Sequence, residues 1–382
     1  MIRTDVLIVG GGPAGLAAGL AMARQGIDVL VCEKSPFPVE KACGEGIMPT
    51  GLRILEELGV DVRSGMPFAG ICYRLAGQPG LAEANFLEGP GRAMRRTDLS
   101  SALLKRCNEQ PNLRVRGQTA VSLLERTPHG ICAQVGDERA VARLIVGADG
   151  LHSRVRRWAG LHRPSRGQQR WGLRQHFAIE PWSDKVEVTY SHGREAYVWP
   201  VSEHEIGVSV LYTVRERTPE RGEGQKGHTM LELLGEFPEL LSRLRGHRAT
   251  TRARGSGPLR QRVHGLEAPG VVLLGDASGY VDACTGEGIS LALAQAVALG
   301  RLALPALDGS GLVSRVDGFR REHARITRAY RVTTALSLWV SRSSFVQRLL
   351  LGWLSRNPAL FQAVLSANMG TLPMHKLLLK AL

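Results

Sequence analysis

The chain has 382 residues, 43% hydrophobic and 22% charged, with a formal net charge of +14. That composition excludes a disordered or fibrous chain and suits two packed domains, or one large α/β unit with an inserted sheet. The arginines are scattered and carry no recognition motif, so the charge speaks against nucleic acid and for an anionic membrane, carrier protein or phosphorylated cofactor.

The start, MIRTDVLIVGGG, reads as a strand entering a glycine turn and not as a signal peptide. Asp5 to Val9 is a short apolar run of the kind found in a central parallel strand. GGGPAG follows from Gly10 to Gly15, then an alanine-rich helical stretch ending at Gly26, then a second strand ending at Glu33. Gly10 allows a sharp turn, Gly12 lets the backbone approach a pyrophosphate, and Gly15 lets helix and strand pack closely. Pro13 and Ala14 open the helix, whose free N–H groups suit phosphates. Glu33, with Lys34 beside it, can accept two ribose hydroxyls. An acid there repels a 2′-phosphate, so this site suits FAD or NAD and not NADP.

ACGEGIMPTG begins at Ala42 and falls in the loop after the second strand. Cys43 is either a pocket residue or a small filler, since no His or Asp lies near it in sequence to make it a nucleophile. Gly44 and Gly46 suggest close backbone approach to a cofactor. An acid between them, Glu45, is not expected to be buried unpaired, so it caps the helix beginning near Thr50 or pairs with an arginine. The six cysteines, at 32, 43, 72, 107, 132 and 284, form no CxxC and no Cys/His cluster. A reduced, cytoplasmic protein without a metal site is expected.

Three further segments carry a family resemblance: RRTDLSSALL from Arg95, LIVGADGLHSRVRR from Leu144 and GDASGYVDACTGEGISLAL from Gly275. With GGGPAG and Glu33 they resemble the FAD-dependent oxidoreductases of the para-hydroxybenzoate hydroxylase type. That superfamily includes aromatic monooxygenases, halogenases and geranylgeranyl reductases. The resemblance implies that Arg96 helps to hold the FAD diphosphate, with Arg95 a solvated charge. It implies that Asp149 and Gly150 support the cofactor, with Ser153 and Arg156 completing the pattern. It places Asp276 on the ribityl chain. The turn at Gly286, Gly288 and Ile289 would then face the flavin, with a helix amino terminus where reduction places negative charge.

The hydroxylases usually carry a histidine and a proline where this chain has Gly279 and Ala283. GEG at Gly286, KACGEGI at Lys41 and YVWP at Tyr197 resemble the reductase branch instead.

From about residue 165 to 215 the chain reads as short antiparallel strands, with turns at His192–Gly193 and Glu203–His204, and residues 68–92 add strands. Trp171, Arg174, Tyr197 and Trp199 are candidate substrate-wall residues. Tyr197 and Trp199 share a strand face. His176 is the one candidate acid–base residue. Glu216 to His228 reads as a surface loop. The tail is helical, and no apolar run in it reaches the roughly 18 residues a membrane span needs.

The sequence is therefore read as an α/β protein. A Rossmann-type FAD-binding domain spans 1–67, 93–164 and 261–303. An inserted antiparallel-sheet substrate domain spans 68–92 and 165–260, and a helical C-terminal tail spans 304–382. FAD is expected to be bound non-covalently, with NAD(P)H as transient reductant. The expected substrate is a hydrophobic or aromatic small molecule, free or carrier-bound. Peripheral membrane contact through the C-terminal helices is a second location kept open. The first reading of activity is an NAD(P)H-dependent monooxygenase acting on an aromatic or polyketide-like molecule. The alternative is a geranylgeranyl-reductase-like reduction of an alkene. A halogenase and a non-enzymatic flavin-binding module stand behind these.

Overall fold

The computed structural model describes residues 1–78, 81–127, 130–165, 169–214, 228–307 and 312–373. Most of the loop expected at Glu216 to His228, and the last segment from Met374, lie outside the described residues.

The first sheet is built on parallel strands in the order Leu113–Arg116, Val29–Cys32, Ile2–Val9, Glu138–Gly147 and Val271–Leu273. Ile2–Val9 lies centrally, and Val6, Leu7 and Ile8 have no exposed surface, which explains its unbroken apolar run. Val9 pairs with Cys32 on one side and Gly147 on the other, and Gly147 pairs with Leu273. This register ends four strands at one edge, so the turns after each converge there.

Helix α1 (Pro13–Ala23) crosses this sheet, followed by α2 (Pro49–Glu57), α3 (Arg96–Asn108) and the short α4 (Arg154–Trp158). Helices α5 (Met230–Leu234) and α6 (Pro238–Leu244) pack on the second sheet. The carboxyl-terminal helices are α7 (Gly288–Ala306), α8 (Phe319–Val340), α9 (Ser344–Arg356) and α10 (Pro358–Asn368). Helix α7 is long and apolar enough to cross a membrane by composition alone, but half of that stretch is buried in the fold. It packs on α1 so closely that a Cβ on Gly300 would fall 2.5 Å from that of Ala21. The small residues of both helices therefore serve close packing.

The second sheet has seven strands, in the order Arg254–Ser256, Gln169–Phe177, Glu205–Val214, Arg194–Ser202, Lys185–Ser191, Gly70–Leu75 and Leu81–Asn85. All neighbours are antiparallel except Lys185–Ser191 with Gly70–Leu75. The turns fall at 192–193 and 203–204. Alternation gives the sheet two apolar faces. Ala196, Val198, Val208 and Val210 pack under Leu233, Leu234 and Phe237 of the α5–α6 segment. Trp199 faces the other way, among Phe68, Phe86 and Phe361.

Trp199 is 1% exposed, and its indole lies over Gly207, its partner on the next strand. A Cβ on Gly207 would sit 2.1 Å from the indole Cε2. Gly207→Ala is therefore expected to lower the apparent melting temperature of the protein. Trp199→Ala, which empties a filled site, should cost about 3–5 kcal/mol. Thermal melts followed by far-UV circular dichroism check both.

Candidate flavin and substrate site

The glycine turn follows from steric limits at the strand ends. Gly10 has φ +112°, and a Cβ there would fall 2.4 Å from the Ala148 carbonyl oxygen. A Cβ on Gly15 would fall 1.9 Å from the Gly10 carbonyl oxygen. Gly12 caps α1 without a side-chain partner, so the first N–H groups after it point outward, with Pro13 at the first turn. Glu33 is buried and accepts hydrogen bonds from the backbone N–H of Gly11 (2.8 Å) and Ser35 (2.9 Å). Its carboxylate thus shapes the turn. Lys34 beside it is exposed.

Arg96 opens α3 and is 6% exposed. Its Nη2 lies 3.4 Å from where a Cβ on Gly12 would be, and its buried Nη1 has no hydrogen-bond partner. An unpaired buried guanidinium nitrogen facing a glycine turn is what a phosphate oxygen would satisfy. Across the strand ends, Asp276 sits in a single 3₁₀ turn and pairs with Lys41 at 3.1 Å. Arg156 is fully buried and clamps that turn, donating from Nη1 to the carbonyls of Asp276 (3.3 Å) and Ala277 (3.1 Å). Asp149 Oδ2 accepts from the N–H groups of Arg154 (2.6 Å) and Val155 (3.2 Å), while its buried Oδ1 has no partner. Gly150 has φ +77°, and a Cβ on it would meet Lys41 Nζ at 2.9 Å. These residues fit FAD: Arg96 and the α1 amino terminus would hold the diphosphate, Glu33 the adenosine ribose and Asp276 the ribityl chain.

The loop at 43–46 ties the two sheets together. Glu45 is 1% exposed and has φ +56°. It caps α3 and not α2: its Oε1 accepts from the Arg96 backbone N–H at 3.1 Å. Its Oε2 meets His176 Nε2 at 2.6 Å, with Arg174 Nη2 3.7 Å from Oε1. Arg174 donates to His176 Nδ1 at 3.0 Å, which leaves the histidine proton on Nε2, toward Glu45. Cys43 Sγ accepts from the Glu45 N–H at 3.3 Å, and burial pushes its thiol up. A Cβ on Gly44 would meet nothing within 4 Å, so the space before it is open, while Gly46 pairs with Ala93. Arg95 is not a solvated charge: it forms a forked ion pair with Glu205 of the second sheet.

The turn before α7 holds a residue that the sequence reading passed over. Gly286 has φ +69°, and Gly288 and Ile289 open the helix. Between the glycines, Glu287 is 3% exposed and accepts a hydrogen bond from Asn368 of α10 at 3.0 Å. Burial pushes its carboxyl up to about 8. Its signal was the same as that of Glu45, an acid between two glycines.

The substrate-wall candidates divide. Trp171 packs with Leu173 and Phe177 on the α5–α6 face, against Gly257. Arg174 and His176 lie on the opposite face, because odd and even positions alternate along the strand. The expected grouping of Trp171 with them is therefore wrong. Tyr197 and Trp199 do share the His176 face, and the Trp199 ring meets the His176 ring edge-on at 6.4 Å. The Tyr197 hydroxyl lies 2.6 Å from Glu195 Oε2 and 3.0 Å from the Cys284 carbonyl. Behind it Arg170 pairs with Glu195 and Asp282, both at 3.1 Å. Tyr280 is half-buried, and burial, Tyr330 and Asp276 push its phenol well up.

A glycine turn at converging strand ends, a buried unpaired arginine and strand-end acids suit a flavin dinucleotide, and the chain resembles the FAD-dependent oxidoreductases of the para-hydroxybenzoate hydroxylase type. The FAD binding domain family matches residues 3–334, and the chain belongs to it. Menaquinone reductase of Mycobacterium tuberculosis is 28% identical over 334 residues, covering 81% of this chain and 77% of that protein. Digeranylgeranylglycerophospholipid reductase 1 of Methanopyrus kandleri is 28% identical over 326 residues, covering 80% of this chain and 81% of that protein. The crystal structure of p-nitrophenol 4-monooxygenase PnpA from Pseudomonas putida DLL-E4 shares the fold, with TM-score 0.79, 17% identity and 99% of each chain covered.

Two predictions follow from this geometry. Arg96→Ala removes charge-assisted hydrogen bonds worth about 1.5–3 kcal/mol and should weaken FAD binding about 10- to 100-fold, read by fluorescence titration. Glu287 carries a proton in the fold up to about pH 8, whereas its ordinary value is 4.5. The folded state binds the extra proton inside that window, so stability contributed here is full below it and lost as pH rises through it. Glu287→Gln should therefore gain apparent melting temperature relative to wild type between about pH 5 and about pH 9.

Proposed function

We propose that the protein is an NAD(P)H-driven FAD reductase that saturates a carbon–carbon double bond in a lipophilic, isoprenoid-type molecule. FAD supplies the redox chemistry when bound, and the chain supplies binding, orientation and a proton. Saturating an alkene needs a proton donor at the second carbon. Tyr280 is the observation that carries the reading. Its hydroxyl lies 3.8 Å from where a Cβ on Gly288 would be, at the start of α7, and its ring lies 6.4 Å from that of Tyr330. Burial keeps this phenol protonated, and likewise those of Tyr73, Tyr190 and Tyr197 and the Cys284 thiol. Glu195 and Asp282 are both engaged by Arg170, so neither stands free as a base.

Two reductases of polyprenyl molecules among the relatives support this reading. So do the missing histidine and proline at 279 and 283. This reading puts reduction ahead of the monooxygenation that the sequence alone favoured. We assign Tyr197 and Tyr280 to the substrate side. His176 and Arg174 are positioning residues, since both ring nitrogens of His176 are engaged and the ring is 1% exposed.

Turnover with a polyprenyl quinone or geranylgeranyl lipid should give a product two mass units heavier, and ¹⁸O₂ should leave no label in it. A product carrying ¹⁸O would restore the monooxygenase reading. Tyr280→Phe should lower kcat about 10²- to 10⁴-fold, the usual worth of a general acid, with FAD content unchanged.

A further inference from the structure

We propose that α8 and α9 form a docking surface for an anionic lipid bilayer. The inference rests on surface chemistry and holds whichever reaction the site performs.

Among the described residues, eleven large hydrophobic side chains are exposed, and six of them lie on these two helices. Val332 (47%), Leu336 (56%) and Trp339 (57%) belong to α8. Phe345 (64%), Leu349 (59%) and Trp353 (44%) belong to α9. Each set is spaced by three or four residues, so each forms one stripe. The opposite faces do the packing: Tyr330, Thr334 and Val340 of α8 and Leu354 of α9 are buried. The exposed stripes are therefore surplus to the fold, and a patch of this kind marks an interaction site.

The charge says what covers it. From Phe319 to Asn368 there are eight arginines and no lysine, against one acid, Glu322, which is itself paired with Arg325. That surplus of seven is half of the net charge of the whole chain. On α8 the exposed arginines 321, 325 and 328 run into Val332, Leu336 and Trp339 on the same helical face, so one stripe passes from basic to apolar. Arg342, Arg348 and Arg356, all exposed, flank the apolar residues of α9. Apolar and tryptophan side chains rimmed by arginine match an interfacial helix, which buries its apolar face about 5–10 Å into the headgroup boundary. A second copy of the chain fits less well, because a symmetric contact would set the two arginine surpluses against each other.

The test is flotation of the FAD-loaded full chain with vesicles. Phosphatidylcholine vesicles containing phosphatidylglycerol should carry the protein up, and pure phosphatidylcholine vesicles should carry far less. Arg328→Gln, Arg342→Gln and Arg348→Gln together should weaken binding to the anionic vesicles about a hundredfold. Trp339→Ala with Leu349→Ala should weaken it at least tenfold at high salt, where the charges are screened. Trp339→Phe should retain binding. Flavin content and absorbance, unchanged in every variant, show that the fold is intact. The proposal fails if wild-type protein floats equally with both vesicles or with neither. It also fails if the same substitutions dissociate a concentration-dependent dimer while vesicle binding stays constant.

Discussion

A single carboxylate, Glu45, joins the two sheets. A buried, uncompensated charge of this type is costly, so its donors cannot leave without loss. One oxygen takes the first N–H of α3 and so fixes the helix that aims Arg96 at the glycine turn. The other takes His176 of the second sheet. The residue does this with φ +56°, a conformation that costs a non-glycine residue roughly 1–3 kcal/mol. The surrounding bonds offset that strain. The glycine turn with Arg96 and the second sheet are thus positioned by the same group, reinforced by Arg95 on Glu205 and by Arg174 and Arg254 on Glu40.

Of the chain's three Gly-Glu-Gly tripeptides, the two among the described residues carry opposite electrostatics. Glu45 is surrounded by donors: a helix N–H, an imidazole N–H and a guanidinium. Glu287 has one amide donor, Asn368, and a second acid, Glu88, whose charge also pushes it up. The first site therefore suits a charged carboxylate. The second suits a neutral acid that can itself donate a hydrogen bond. A fixed negative charge beside a flavin opposes its reduction, so the proposed placement of this turn at the flavin suits a neutral acid.

Most of the cradle was legible because it depends on local rules. The period of the apolar runs, the glycines at strand ends and the acid closing the second strand act within about 30 residues, the span of one strand–helix–strand unit. What sequence hid was pairing at long range. Glu45 and His176 are 131 residues apart, and Arg95 and Glu205 are 110 apart. Nothing local names either partner. The Arg170–Glu195–Asp282 cluster was hidden for the same reason. Trp171 is different, since strand alternation alone puts it and Arg174 on opposite faces of the sheet.

The departure at position 279 has a structural counterpart. Gly279 has φ +111°, in a region that disfavours the histidine the hydroxylases usually carry. A histidine reaches the same turn from elsewhere, with His323 of α8 placing Nε2 2.9 Å from Ser278 Oγ. Two further residues on that face of α8 bind the following segment. The Tyr330 hydroxyl accepts from the N–H groups of Val281 (3.3 Å) and Asp282 (3.2 Å) and donates to the Asp282 carbonyl (2.8 Å). Thr334 meets Thr285 at 3.4 Å. Residues 278–285 are therefore held to one helix at three levels spanning three turns. The other face of that helix carries the exposed arginine and tryptophan stripe. Force on the outer face cannot tilt α8 without moving the turn that carries Tyr280. The turn at 278–285 and the exposed stripe of α8 are thus mechanically one element.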